Sequence, residues 1–198
     1  MVNMRPFTAF EQKNLKFLVN HNVKFTQVEI TPTGLDKGIL DSTAPMRAYF
    51  LEEGVHDYSE QLQGQEFKQM RNAIILTADS QCITQASFYR PNTKKGDPRM
   101  WIYKLGSYTE GNDIHVLFYF ADNLYSINIT RIDIEKCYNS VIVTPLKEVL
   151  MEINQIGNSV SEELLGKFRS VSGQWFESEV LADTGIGRTI ESFLGISM

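Results

Sequence analysis

Short runs rich in β-branched and aromatic residues recur along most of the chain, and they restrict its fold more than any other feature. In the run CITQASFY (82–89), alternate residues lie on one side of an extended chain, which is the side-chain pattern of a β-strand. Seven such runs are predicted strands: 23–30, 45–54, 72–80, 82–89, 100–106, 113–120 and 125–131. Seven short strands at close spacing predict a mainly β fold, either a barrel or a sandwich.

Helical patterns lie on both sides of this β region. A first helix is predicted after Thr8, an N-cap residue whose capping-box partner is Glu11. Two further helices are predicted after the strands, one ending at Gly157 and one beginning just beyond it. The change in composition at this glycine predicts two domains, residues 1–156 and residues 157–198.

The composition is that of a globular protein, and it argues against globally basic nucleic-acid-binding proteins, secreted proteins and membrane-spanning proteins. Apolar residues make up 42% of the chain, enough for a packed core. With 24 acidic and 19 basic residues the net charge is −5, which argues against a globally basic nucleic-acid coat but not against a local basic patch. No run is apolar or long enough for a signal peptide or a membrane span. We expect a soluble cytoplasmic protein in which Cys82 and Cys137 are buried free thiols.

Two connections are longer than the two to five residues that are usual between paired strands, namely residues 31–43 and 90–99. The second carries four basic residues and one acid in an acidic protein. Arginine, asparagine and aspartate can each read a base edge in the major groove, and lysine pairs well with phosphate. The loop therefore predicts contact with DNA or RNA, while the alternative is an ordinary solvated surface loop.

Enzyme motifs are sparse. The three histidines lack metal-ligand spacing, and neither a nucleophile elbow nor a phosphate-binding glycine loop occurs, so no catalytic or metal-binding residue is predicted. One alternative is a metal-dependent nuclease using Asp57, Glu66 and Lys68, a chemistry that requires the acids on adjacent strands. Another is a β-barrel that binds single strands by aromatic stacking.

The segment GQWFESEVLADTGIGRTIESFLG (173–195) resembles the opening of the MvaI/BcnI restriction-endonuclease catalytic domain. The match is carried by T-G-I-G-R-T-I-E (184–191) and extends over roughly residues 159–197. In that family the glutamate at the position of Glu191 lies beside the metal site, and the essential Asp…Glu-x-Lys set follows later in the chain. The resemblance implies a truncated nuclease domain without catalytic activity here, with Mg²⁺ needed only by a complete nuclease.

The preceding residues resemble the effector domain of the EcoRII restriction enzyme, a relative of the plant B-three DNA-binding domain. The resemblance rests on VEITPTGLDKG (28–38) and ASFYRPNTKKGDPRMWIYKLG (86–106). It implies a seven-stranded pseudobarrel with flanking helices and a C-terminal helical extension, whose N-arm (residues 31–43) and C-arm (residues 90–99) grip the major groove. The two resemblances together imply the DNA-binding part of a type IIE restriction endonuclease.

The implied partner is double-stranded DNA containing 5′-CC(A/T)GG, bound by a monomer without a cofactor. The implied contacts lie in both arms. Those of the N-arm are Thr33, Asp36 and Lys37, and those of the C-arm are Arg90, Asn92, Thr93, Lys94, Lys95, Asp97 and Arg99.

Overall fold

The computed structural model describes residues 4–171, apart from the side chains of Lys94 and Val171. The chain divides into two compact units, Met1–Ile153 and Asn154–Met198. The first unit contains the whole sheet. The motif 184–191 with Glu191, which carries the resemblance to the nuclease family, lies outside the described residues.

Five helices and seven strands form in the described part of the chain. The helices are α1 (Ala9–Asn20), α2 (Pro32–Lys37), α3 (Ala44–Glu52), α4 (Ile134–Asn139) and α5 (Pro145–Val171). The strands are β1 (Thr26–Glu29), β2 (Leu40–Asp41), β3 (Gln69–Leu76), β4 (Gln81–Tyr89), β5 (Arg99–Ile102), β6 (Ile114–Phe120) and β7 (Asn123–Asn128). Short 3₁₀ turns occur at Gln65–Phe67, Lys94–Gly96 and Leu105–Ser107.

The strands form one nearly closed, barrel-like sheet in the order β1-β6-β7-β3-β4-β5-β2. The pairing of β3 with β7 is parallel, and all other pairs are antiparallel. The two edges, β1 and β2, therefore face the gap at which the barrel stays open. The predicted barrel-like fold is confirmed at this level, and its assignment to one particular pseudobarrel family stays a prediction.

Six of the seven predicted strands are confirmed, and the strand predicted at 45–54 is wrong. This segment forms α3, because the Thr43 side chain caps its first turn by accepting a hydrogen bond from the Met46 N–H. The buried side chains Met46, Tyr49 and Phe50 follow a helical spacing. The seventh strand is β2, which at two residues is too short to show alternation in the sequence.

The sheet buries apolar side chains on both faces. Inside the barrel, Phe50 of α3 packs with Phe88 and other strand residues. On the outer face a second cluster joins α1, α4 and the first turns of α5, with Phe118 and Leu150 among its fully buried members. Neighbouring residues of β6 alternate between the two clusters, since successive side chains of a strand point to opposite faces. Both faces of the scaffold are therefore fixed by packing.

The helix after Thr8 is confirmed with its capping box, whereas the predicted pair of C-terminal helices is wrong. One continuous helix, α5, runs through Gly157. A glycine in a helix interior costs only about 1 kcal/mol relative to alanine, which is too little to end a helix whose other residues favour it. The predicted domain boundary thus falls within a helix, and it stays a prediction.

A buried carboxylate fastens the N-terminal segment to the sheet. The Glu11 side chain is fully buried and accepts hydrogen bonds from Thr8 N–H, Thr130 Oγ1 and both terminal nitrogens of Arg5. The Arg5 N–H in turn donates to the carboxylate of Glu29 on β1. The hydrogen bond and charge of Arg5 lower the pKa of Glu11 from its ordinary 4.5 to about 2, with further hydrogen bonds from Thr130 and Thr8.

We expect Glu11→Gln to reduce the free energy of unfolding by about 3 kcal/mol at pH 7, because a shift of this size corresponds to about that energy. The folded pKa lies below the unfolded one, so this contribution is present above pH 4.5 and is lost as the pH falls towards 2. Urea unfolding of the wild-type chain and the variant at pH 7, 4 and 3 measures the difference in their free energies of unfolding. The control Glu135→Gln removes a half-exposed partner of Lys13 and should cost less than about 1 kcal/mol. Equal losses for both variants would contradict a special role for Glu11.

Candidate nucleic-acid interface

A cleft of about 440 Å³ lies at the gap between β1 and β2. Residues of both arms line it, so the fold brings the two predicted arms to the same cleft. Four of the ten predicted DNA-binding residues line the cleft: Thr33, Lys37, Thr93 and Arg99. Two acids that were not predicted also line it, Glu29 and Asp41.

The N-arm owes its shape to a short capped helix and two glycines. The Thr31 side chain accepts the Gly34 N–H at 3.1 Å and begins α2. Any side chain at Gly34 would bring its Cβ to 2.6 Å from the Ile39 carbonyl oxygen. The helix ends at Gly38, whose φ of 61° is left-handed, and a Cβ at this position would lie 3.5 Å from the Trp101 ring. The arm thus lies directly against the indole of β5.

The predicted N-arm residues differ in their placement. Thr33 and Lys37 are exposed and line the cleft. Asp36 is exposed as well but lies outside the cleft lining. No described residue forms an ion pair with Lys37, so its ammonium group is available to a ligand.

The C-arm is held in an unusual backbone conformation by Arg90. Both Lys95, with φ of 57°, and Gly96, with φ of 72°, lie in the left-handed region, which is uncommon for a lysine. The guanidinium of Arg90 donates to the carbonyl oxygens of Gly96 at 3.0 Å, Gln61 at 3.0 Å and Tyr58 at 3.4 Å. This geometry favours a positioning role for Arg90, in addition to or instead of the predicted contact with a base.

Residues 58–64 contact the C-arm and support it. The Gly64 N–H donates to the Arg90 carbonyl oxygen at 2.8 Å, and Gln63 Nε2 lies 3.5 Å from the Lys95 carbonyl oxygen. A Cβ on Gly96 would lie only 2.5 Å from the Gln63 side chain, which shows how closely the two segments approach. The sequence pattern did not reveal this support, because its members are about thirty residues from the arm that they hold.

The remaining C-arm residues project into solvent. Asn92, Lys95 and Asp97 are exposed, and none of them forms an ion pair with another described residue. The side chain of Lys94 lies outside what the structure describes. Asp97 is predicted to contact DNA, and the acid that pairs with Arg99 beside it is not Asp97 but Asp41.

Arg99 is the most constrained cation of the cleft. Its side chain is only 14% exposed, and its Nε is buried without a hydrogen-bond acceptor among the described residues, 3.6 Å from Asp41 Oδ1. Its backbone is fixed, because the Tyr58 hydroxyl donates to the Arg99 carbonyl oxygen at 2.9 Å and also contacts Ser42 Oγ at 2.6 Å. The first residue of a strand, with its backbone held in place, thus carries this guanidinium in the lining of the cleft.

Two of the three histidines are buried, and the two cysteines are partly buried. Burial lowers the pKa of His115 to about 4, and its Nδ1 lies 2.9 Å from Ser126 Oγ inside the barrel. His56 is buried against Phe88 and shares a hydrogen bond with Gln61. Both cysteines are free, as predicted, but they are half-buried rather than buried.

The residues of the alternative nuclease hypothesis are not arranged on adjacent strands. Asp57 lies in the loop after α3 and accepts hydrogen bonds from the backbone and hydroxyl of Ser59. Glu66 lies in a 3₁₀ turn. Lys68 follows that turn with its ammonium 5.5 Å from the centre of the Tyr89 ring. None of the three lies on a strand, so the geometry that this hypothesis requires is missing.

Comparisons with protein-family models, with curated proteins and with solved structures gave no match. Within residues 4–171, no three His, Cys, Asp or Glu side chains lie close enough together to hold a metal ion. No helix in the same range combines the length and the apolar character needed to cross a membrane. The function of the cleft must therefore be inferred from its own geometry and charges.

We expect Arg90→Ala to loosen the C-arm, since one net hydrogen bond contributes about 1 kcal/mol and the guanidinium donates three. Amide hydrogen exchange in the protein without ligand should become at least about tenfold faster at Gly96, the factor for roughly 1.4 kcal/mol, and stay unchanged in β3. Asn92→Ala is the matched control, because this exposed side chain of the same loop makes no described hydrogen bond. Unchanged exchange at Gly96 in the arginine variant would rule out the positioning role.

Proposed function

We propose that the chain is a sequence-specific double-stranded DNA-binding protein whose N-arm and C-arm enter the major groove. The observation that carries this proposal is Arg99, a cation of the cleft lining whose Nε is buried and has no acceptor among the described residues. An unsatisfied buried donor costs about 1–3 kcal/mol. A ligand that draws Asp41 Oδ1 from 3.6 Å into hydrogen-bond range of Nε relieves that cost, while its own acceptors can bond to the terminal nitrogens of the guanidinium. Guanine offers two acceptors on its major-groove edge, and arginine binds both.

The other groups around the cleft suit the same ligand. Lys37 on the N-arm and Lys95 on the C-arm are exposed cations without described ion-pair partners, as expected of residues that bind phosphate. Thr33 and Thr93 both line the cleft, and their hydroxyls can bond to bases or to phosphates. Cations on two separate arms can contact more of a duplex than a single basic loop can.

The resemblance to the EcoRII effector and plant B-three domains supports the proposal and makes it more specific. Both the seven-stranded barrel-like sheet and the two arms beside its opening agree with what that resemblance implies. We therefore propose 5′-CC(A/T)GG as the target, bound by a monomer without a cofactor. The biological setting that we propose is a type IIE restriction endonuclease, in which Mg²⁺ serves only the nuclease domain.

Stacking of single strands has less support than duplex binding. No aromatic side chain is among the described residues that line the cleft. Single-strand binders rely on exposed aromatic rings on which successive bases stack. A gel-shift series with the cognate duplex, a scrambled duplex and each single strand tests the proposal directly. Specific binding should be at least about a thousandfold tighter than non-specific binding.

We expect Arg99→Ala and Lys95→Ala to weaken binding in different ways. Loss of an arginine that reads guanine should lower affinity for the cognate duplex about 5- to 150-fold and leave scrambled DNA almost unchanged, since such a contact contributes about 1–3 kcal/mol of discrimination. Loss of a lysine that binds phosphate should weaken both duplexes equally and reduce the salt slope by about one unit. Titrations at two salt concentrations separate these effects. Equal losses on both duplexes for both variants would indicate a basic patch that reads no base.

We expect the 198-residue chain to leave supercoiled plasmid intact in the presence of Mg²⁺. The physical reason is that Asp57 and Glu66 do not lie on adjacent strands, where a metal-dependent nuclease places its acids. Agarose electrophoresis of plasmid incubated with the protein measures this. Double-strand cleavage that disappears on Glu66→Ala would instead favour the nuclease hypothesis.

A further inference from the structure

Arg99 has a partner in the cleft that was not predicted from the sequence, namely Asp41. The two residues are directly opposite each other in the antiparallel pairing of β2 with β5. Their neighbours Leu40 and Met100, which are also opposite each other, are buried in the barrel interior. Since side chains alternate along a strand, Asp41 and Arg99 project together from the outer face. Both line the cleft between the arms.

The contact between them is too long to satisfy either group. Arg99 Nε lies 3.6 Å from Asp41 Oδ1, beyond hydrogen-bond range, and no other described residue supplies it with an acceptor. The Asp41 side chain is 71% exposed and accepts no hydrogen bond from any described residue. An ion pair of this kind contributes at most about 1 kcal/mol to stability. The pair therefore retains unused donors and acceptors at the place where a ligand would bind.

An acid in this position conflicts with simple binding of a polyanion. A carboxylate beside a phosphate is repelled, and a carboxylate buried by a ligand without a donor loses its hydration. Two groups on duplex DNA remove both problems, because the N4 amino group of cytosine and the N6 amino group of adenine each donate in the major groove. The adjacent arginine favours cytosine, since its partner guanine presents two acceptors to a guanidinium, whereas thymine, the partner of adenine, presents only one.

We propose that Asp41 is a specificity-determining residue, which accepts the cytosine N4 amino group while Arg99 binds the guanine of the same base pair. This inference rests on the proposed function, because it needs a duplex in the cleft. The juxtaposed acid and arginine together present the pattern complementary to a C·G pair. Thymine in place of cytosine would set its O4 acceptor against the carboxylate, so that no hydrogen bond could form and the two oxygens would repel each other.

The test removes the amino group from the DNA and the carboxylate from the protein, singly and together. In the cognate duplex, each cytosine in turn is replaced by the 2-pyrimidinone nucleoside, which lacks the N4 amino group and leaves the opposite guanine in place. Dissociation constants are measured for the wild-type chain and for Asp41→Ala, because asparagine would keep an oxygen that accepts the same hydrogen bond. The control variant is Asp36→Ala, which removes a carboxylate from the same arm outside the cleft lining.

At one cytosine we expect the analogue to weaken wild-type and Asp36→Ala binding about 5- to 150-fold, the range for one good base contact. The same analogue should change Asp41→Ala binding less than about twofold, because the acceptor has already been removed. Asp41→Ala should also bind scrambled duplex more tightly. If the analogue weakens wild type and Asp41→Ala equally at every position, Asp41 contacts no cytosine amino group and the inference is wrong. A wild-type chain that does not prefer the cognate duplex overturns the proposed function itself.

Discussion

The open edge of the sheet depends on a ladder of only two residue pairs, in which β2 adds to β5. The pairing places Leu40 opposite Met100 and Asp41 opposite Arg99. Buried Tyr58 reinforces it, since its hydroxyl contacts Ser42 beside β2 and the Arg99 carbonyl oxygen on β5. The N-arm contains β2 and the C-arm ends on the first residue of β5, so this short ladder joins the two arms. A longer β2 would extend pairing along the edge and narrow the opening between them.

Much of the sheet could be predicted because its long strands alternate or are apolar throughout. The run at 82–89 became β4, and the run at 113–120 became β6. The error at 45–54 arose because aromatic content was given more weight than the capping signal of Thr43. The β-strand propensity of aromatic residues is a weak guide when a helix can bury the same side chains against the barrel interior. The two residues of β2 have no period to detect, so only tertiary contacts reveal that strand.

The sequence predicted those residues of the candidate site that lie in a loop of distinctive composition. A basic loop in an acidic chain led to Thr93 and Arg99, and both line the cleft. The sequence does not show what a side chain meets across the fold. Arg90 donates hydrogen bonds to the carbonyl groups of Tyr58 and Gln61, which lie 32 and 29 residues away in the sequence. The basic composition of its loop had instead suggested a contact with a base. Asp41 was missed for the same reason, because its meaning depends on the residue opposite it in the ladder.

The cleft contains both signs of charge, and this balance bears on how an acidic protein would select DNA. The cations Lys37 and Arg99 share the lining with Glu29 and Asp41, in a chain whose net charge is −5. Acids repel the phosphates of every sequence alike, so they weaken non-specific binding, which is almost wholly electrostatic. Contacts with base edges add affinity only on the matching sequence. On the proposed function, such a cleft would have low affinity for DNA in general, and its discrimination would depend on the few groups that contact base edges.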